Sequence, residues 1–237
     1  MIKQIKNLLF KLLFFVPDYI LEIWLFEASS WIGRTFVGRL KIDNTKTNLI
    51  NLGSGIYIMD GFINLDFYTV PNHQFGADLR YPLKIDDNCI DGIFSEHTQE
   101  HLTYEANDQL LSECYRIMKP GAAIRIVVPD VSIFANNYAA KNESWFKKWE
   151  EIMMVNSDDP RRAARRIATP MQAISFVTQE FLHVACWDYE TMKHYLEKNN
   201  FKDIRKVNFM EGRQKNILVD SDTIDRKYVS LYIEASK

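Results

Sequence analysis

The six residues Glu96-His97-Thr98-Gln99-Glu100-His101 bring two imidazoles and two carboxylates together. His97, Glu100 and His101 spell His-x-x-Glu-His, the inverted zinc-peptidase order, in which the histidines bind metal and the glutamate activates water. That chemistry needs the pair one turn apart on a helix. Here the segment follows an apolar run, Cys89 to Ser95, that reads as a strand, and no motif supplies a third ligand. No metal is therefore expected; one imidazole is expected to face a pocket while the other locks its loop through hydrogen bonds. A second group lies upstream. Gly53-Ser54-Gly55 breaks an apolar strand where the chain must turn tightly and leave backbone N–H groups open to a ligand, and Asp66 closes the next strand, where a carboxylate can accept from both ribose hydroxyls. Asp78 follows on a loop of its own, placed either to read an adenine edge or to cap that loop.

The elements that must position these groups are legible in outline. Leu49 to Leu52 and the run ending at Asp66 read as two strands joined by a link too short for the long helix of a GxGxxG dinucleotide fold. Gly76 to Leu79 reads as a short third strand and Cys89 to Ser95 as a fourth, which delivers the histidine segment at its carboxyl end, where open parallel sheets bind ligands. Residues 105–118 form an amphipathic helix with Leu110, Leu111, Cys114, Tyr115 and Met118 inward, ended by Lys119-Pro120-Gly121. The β-branched run Ala123 to Val128 is a buried parallel strand leading to Asp130. Asp188 caps a helix from Tyr189 to Lys198, and residues 203–209 and 227–235 close the sheet as the last two strands.

A chain of 237 residues can bury one sizeable core. With 29 basic and 31 acidic residues it carries a net charge of -2, which argues against nucleic acid as a partner. Cys89, Cys114 and Cys186 lack metal-ligand spacing, which suits a reducing, cytoplasmic setting. Residues 1–47 form an amphipathic helical extension. Its basic, apolar first 30 residues are interrupted by Lys11, Asp18, Glu22 and Glu27, so they neither span a membrane nor match a signal peptide. Two roles compete for residues 1–30. Either Phe10, Phe14, Phe15, Ile20, Trp24 and Phe26 pack on the domain, or the segment lies on the inner membrane face with Lys3, Lys6 and Lys11 toward anionic lipid.

The series LNLGSG, GFINLD, ADLRYPL, IDGIFSEHTQEHL, L-x-x-x-x-R-I-M-K-P-G and IRIVVPD resembles the class I S-adenosylmethionine-dependent methyltransferases, in particular a small branch associated with surface-polysaccharide or lipopolysaccharide clusters. The resemblance covers residues 48–237. It implies an α/β, Rossmann-like seven-stranded sheet with the last strand antiparallel, and S-adenosyl-L-methionine bound across the carboxyl ends of the first strands. Carried onto this sequence, Asn51, Gly53, Ser54 and Gly55 approach the methionine part, Asp66 holds the ribose, Asp78 and Leu79 contact the adenine, and Glu96 and His97 lie beside the methionine and the acceptor. Two departures stand out: the helix between Gly55 and Gly61 is nearly absent, and Ala122 occupies a position where a second glycine is usual.

A methyltransferase reading implies a saccharide or nucleotide-sugar acceptor, with a hydroxyl of a surface-glycan precursor as nucleophile. Its proton needs a base. His97 and His101 are the first candidates, with Glu100 as orienting carboxylate or alternative base and His183 with Asp130 as a second pair. Residues 131–180 replace a simple crossover and are read as an acceptor-side insertion. In it, Trp145, Phe146 and Trp149 are core anchors or a sugar platform, and Arg161, Arg162, Arg165 and Arg166 a phosphate-binding face or a solvated one. The alternative function is a cofactor-binding scaffold without catalysis.

Overall fold

A computed structural model describes residues 18–67, 74–155 and 168–237. Helix α1 (Asp18–Phe36) leads into β1 (Leu49–Leu52), β2 (Phe62–Asp66), β3 (Gln74–Gly76) and β4 (Ile90–Glu96). Helix α2 (Tyr104–Ile117), β5 (Met118–Pro129), α3 (Val131–Ala139), α4 (Glu143–Val155), α5 (Pro170–Gln179) and α6 (Tyr189–Lys198) follow. The chain closes with β6 (Lys202–Val207), α7 (Ile224–Val229) and β7 (Ser230–Ser236). The strands form one seven-stranded sheet in the order β3-β2-β1-β4-β5-β7-β6. Strands β1 to β5 pair in parallel, and β7 runs antiparallel to both β5 and β6. This is the expected Rossmann-like methyltransferase sheet with an N-terminal helix.

The central strands β1, β4, β5 and β7 are buried on both faces, so alternate residues of a strand enter different cores. Ile50, Leu52, Ile93, Ile124, Ile126 and Val128 pack with Leu110, Leu111 and Cys114 of α2 and Met192 and Leu196 of α6. Their neighbours Leu49, Phe94, Ala123 and Val127 pack with Ile217 and Tyr232 on the other face. A separate aromatic cluster, Phe134, Phe146 and Trp149 with Ala173, Val177 and Val229, ties α3, α4, α5 and α7 together beside the sheet.

Three boundaries differ from the expected ones. Strand β3 ends at Gly76, so Asp78 sits on the loop two residues beyond it. Strand β5 begins at Met118, which pairs with Ile90, and the pairing resumes at Ala123 with Gly92, so Pro120-Gly121 marks a bulge instead of a helix end. Residues 224–229 form a short helix before β7; the alternation from Tyr228 is no guide there, because β7 is buried on both faces.

Helix α1 has two different faces. Inward, Leu21 and Ser30 are buried, the Phe26 ring lies 4.3 Å from that of Phe67, Glu27 pairs with Arg80 at 2.6 Å, and the Ser30 hydroxyl donates to Asp78. Outward, Ile23, Trp24, Trp31, Ile32 and Phe36 are exposed, so Trp24 is not a packing anchor. Asp78 is nearly buried and also accepts from Arg80 Nη2 at 2.7 Å. Burial works against its charge, but Arg80 and Ser30 outweigh it and hold the carboxyl below its ordinary 3.8. A lowered folded pKa contributes stability that is present above the unfolded value and lost as pH falls through the folded one. Asp78→Asn should therefore flatten the acid limb of a stability profile below about pH 4. An unchanged limb in urea melts would sink this assignment.

Candidate functional site

The site lies at the carboxyl ends of β1, β2 and β4. After β1 the chain turns at Gly53 and Gly55, with φ of +70° and +54°. The turn is latched from within. Gly53 and Ser54 N–H both donate to Leu65 O at 2.9 Å, and Gly55 N–H donates to Asp66 Oδ2 at 2.8 Å. The expectation that this turn presents open N–H groups is corrected: it folds back on the end of β2 and spends them there. Asn51 is corrected too. Its side chain is buried and donates to Tyr57 O at 3.0 Å and Asn64 Oδ1 at 2.9 Å, while Asn64 Oδ1 accepts from Met59 N–H at 3.0 Å. Two asparagines thus replace the missing helix between Gly55 and Gly61, and leave Ile56 and Tyr57 exposed.

After β4, His97 takes a left-handed backbone (φ +51°) and Gln99–His101 form one tight helical turn. A helical His-x-x-Glu-His pair is absent. Asn107 of α2 holds the turn by donating to Gln99 O at 2.8 Å and Leu102 O at 2.9 Å. The Glu100 carbonyl accepts from Val184 N–H at 2.8 Å and Ala185 N–H at 3.2 Å, which draws His183 alongside. His101 and His183 meet edge to face with ring centres 4.9 Å apart. His183 Nδ1 lies 2.8 Å from Val177 O; a carbonyl only accepts, so Nδ1 carries the proton and Nε2 turns toward Glu100 Oε1 at 4.0 Å. Burial opposes the charge of Glu100, and its carboxyl is held below the ordinary value only while the neighbouring imidazoles of His97 and His101 carry protons. Burial pushes the His101 imidazole down, and His183 and His97 act in the same sense against Glu100, so at neutral pH His101 is uncharged.

His97 is the locking imidazole. Arg226 Nη1 donates to its Nδ1 at 2.6 Å, and its Nε2 lies 3.1 Å from Ser230 Oγ. With both nitrogens engaged it is not poised as a general base; it fixes the loop, and Arg226 on α7 is a site residue that no motif marks. Glu96 accepts from Ser221 N–H at 3.1 Å and from the Ser221 hydroxyl, which ties β4 to the connection before α7. Asp130 is withdrawn from the second base pair: it is buried, caps α3 by accepting from Ser132 N–H at 3.1 Å, and meets Lys206 Nζ at 3.0 Å.

Two cavities of about 610 Å³ each flank this assembly. One lies between α1 and the end of β3, lined by Ser30, Arg34, Phe67, Asp78 and Tyr81. Leu79 is buried beneath that loop. The other is bordered by Gly53, Gly55 and Tyr57, by Glu96, His97, Glu100 and His101, and by His183 and Arg226. Phe134, Trp149, Met153 and Phe176 of residues 131–180 wall it. Trp149 is thus both core anchor and cavity wall, whereas Arg161, Arg162, Arg165 and Arg166 lie outside the described residues, as does all of the extension before Asp18.

Residues 69–126 match the family model "Methyltransferase domain". No curated protein matches the chain. Among solved structures the chain is similar to a SAM-dependent methyltransferase from Archaeoglobus fulgidus, with 19% identity, a TM-score of 0.47, and coverage of 93% of this chain and 100% of that one. It is also similar to Haemonchus contortus phosphoethanolamine N-methyltransferase 2 in complex with S-adenosyl-L-methionine (13%, TM-score 0.45, covering 89% and 52%) and to a SAM-dependent methyltransferase from Aquifex aeolicus (13%, TM-score 0.43, covering 82% of each). The matched segment runs from β3 into β5 of the methyltransferase-type sheet. Over that segment the chain is similar to a methyltransferase domain.

Proposed function

We propose that the chain transfers the methyl group of S-adenosylmethionine to a hydroxyl of a saccharide, of the kind found in surface-glycan precursors. One observation carries the cofactor half of this reading. Asp66 stands between the two cavities: its partner Gly55 lines one and its neighbour Phe67 lines the other. A two-part ligand then lays its adenine toward Phe67, Asp78 and Tyr81, its ribose on Asp66, and its amino-acid end along the turn and the residues after β4. When bound, S-adenosylmethionine supplies an already activated methyl group, so the protein's part is to orient an acceptor and manage its proton. The second cavity supports an acceptor with many hydroxyls, since it sets aromatic walls, Trp149 and Phe176, against polar groups from β4, α7 and His183. Calorimetry with S-adenosylmethionine followed by labelled-methyl transfer to candidate saccharides tests both halves. Binding without transfer to any saccharide would favour the scaffold reading.

Asp66→Ala should weaken cofactor binding on the order of 10- to 100-fold, the value of one or two charge-assisted hydrogen bonds. An unchanged calorimetric Kd would remove Asp66 from the site. Among the described residues no helix is long and apolar enough to cross a membrane. The outward face of α1, with Trp24, Trp31 and Phe36, supports peripheral contact with lipid, and full-length protein should co-sediment with anionic liposomes at low salt.

A further inference from the structure

We propose that Glu100, His101 and His183 form a binding site for one divalent metal ion, whose open positions take hydroxyl oxygens of the acceptor. The inference deepens the methyltransferase reading, and its first half can be tested without cofactor or acceptor.

The cluster is built from two segments, Glu100-His101 and the stretch around His183, brought together by backbone contacts, and each of the three residues offers a ligand atom, all within 4.8 Å of one another. In a site with bonds near 2.1 Å the ligand atoms stand roughly 3–3.5 Å apart, so the widest pair of the trio needs to close by about 1.3–1.8 Å. Glu100 is 1% exposed, and neither of its carboxylate oxygens receives a hydrogen bond. His97 Nδ1 lies 3.0 Å from Glu100 Oε1, but in the neutral ring that nitrogen is the lone-pair nitrogen already receiving Arg226, so it has no proton to give. A buried carboxylate without donors is costly unless a cation satisfies it. His183 shows the accompanying feature of a ligating histidine: Nδ1–H is spent on the Val177 carbonyl, which aims the unprotonated Nε2 at the carboxylate.

Two imidazoles and one carboxylate suit a borderline first-row ion such as Mn²⁺, Fe²⁺ or Zn²⁺ and leave coordination positions open toward the cavity. A neutral sugar hydroxyl is a poor nucleophile. One that binds the ion is acidified and releases its proton to water at the cavity mouth, so neither histidine has to act as base. Two adjacent hydroxyls fill two open positions, which makes a vicinal diol the favoured acceptor class.

The test uses full-length protein freed of metal with a chelator and titrated with Mn²⁺, followed by isothermal calorimetry and by the loss of the free-ion paramagnetic resonance signal. Wild type should bind one Mn²⁺ per chain. Glu100→Gln and His183→Gln should each weaken binding at least tenfold, while His194→Ala, an exposed histidine of α6, should not. Melting curves with and without Mn²⁺ guard against misfolding: ion binding should raise the Tm of wild type and of His194→Ala, but not of a folded Glu100→Gln protein. No Mn²⁺ or Zn²⁺ binding at millimolar ion, or equal binding by wild type and both cluster variants, overturns the site. Cofactor binding measured on the same metal-free protein separates the two ideas: S-adenosylmethionine binding with no ion binding removes the metal and leaves the methyltransferase reading, and the reverse removes the latter.

Discussion

Asp220→Ala is expected to lower the unfolding free energy by about 3–5 kcal/mol, the cost of leaving a buried charge unpaired. Arg125 and Asp220 are both fully buried and joined by two hydrogen bonds of 2.5 Å. The same guanidinium donates to Glu211 O at 2.7 Å and Asn208 O at 3.1 Å, and Asp220 accepts from Met210 N–H at 2.7 Å. One ion pair therefore organises the connection between β6 and α7, including Ser221, which holds Glu96. Removing the carboxylate strands the guanidinium in the sheet. Replacing both partners by apolar residues, Arg125→Met with Asp220→Leu, should cost less than the single change, because no orphan charge is left. Urea melts decide this. A loss under 1 kcal/mol for the single variant would show that the pair is not structural.

Gly53→Ala is expected to abolish cofactor binding at accessible concentrations and to cost about 1–3 kcal/mol in stability. A Cβ at this position would stand 2.2 Å from Thr98 Oγ1 and 2.3 Å from Thr98 Cγ2, on a backbone with φ of +70°. Thr98 has no room to retreat: it is buried, and its hydroxyl donates to Leu52 O at 3.1 Å. The alanine would force the β1 turn and the loop after β4 apart. Gly55→Ala is the control, since nothing lies within 4 Å of its Cβ position and only the left-handed backbone is penalised, by roughly 1 kcal/mol. Calorimetry on both variants checks the contrast. Equal Kd values for the two would show that the Thr98 clash is relieved cheaply.

The parts of this molecule legible in the sequence are those written by neighbours along the chain. Asp66 at the tip of β2, the Asp188 cap of α6, whose side chain accepts from Thr191 N–H at 2.8 Å, and the strand that delivers the histidine segment all rest on local spacing. The site's other half is written across the chain. Ser30 meets Asp78, Arg226 meets His97 and Ser221 meets Glu96 through separations of 48, 129 and 125 residues, and no periodicity announces such pairs. His183 shows the difference. Its place near the site followed from resemblance, but its convergence with Glu100 and His101 needed the Glu100 carbonyl to capture the backbone after it. The turn at Gly53 misled for a related reason: glycines reveal that a chain bends, not where its amides point afterwards.

The aromatic cluster of α3, α4, α5 and α7 is separate from the two cores of the sheet, and it walls the cavity from outside them. Separate cores make separate cooperative units. The aromatic wall of the cavity can then breathe at a free energy well below that of global unfolding while the sheet edge at β1 and β4 stays closed. Amide exchange would divide the protein along that line, fast in α4 and α5 and slow in β4 and β5, so that, on the proposed function, a bulky acceptor could enter without melting the sheet beneath the cofactor.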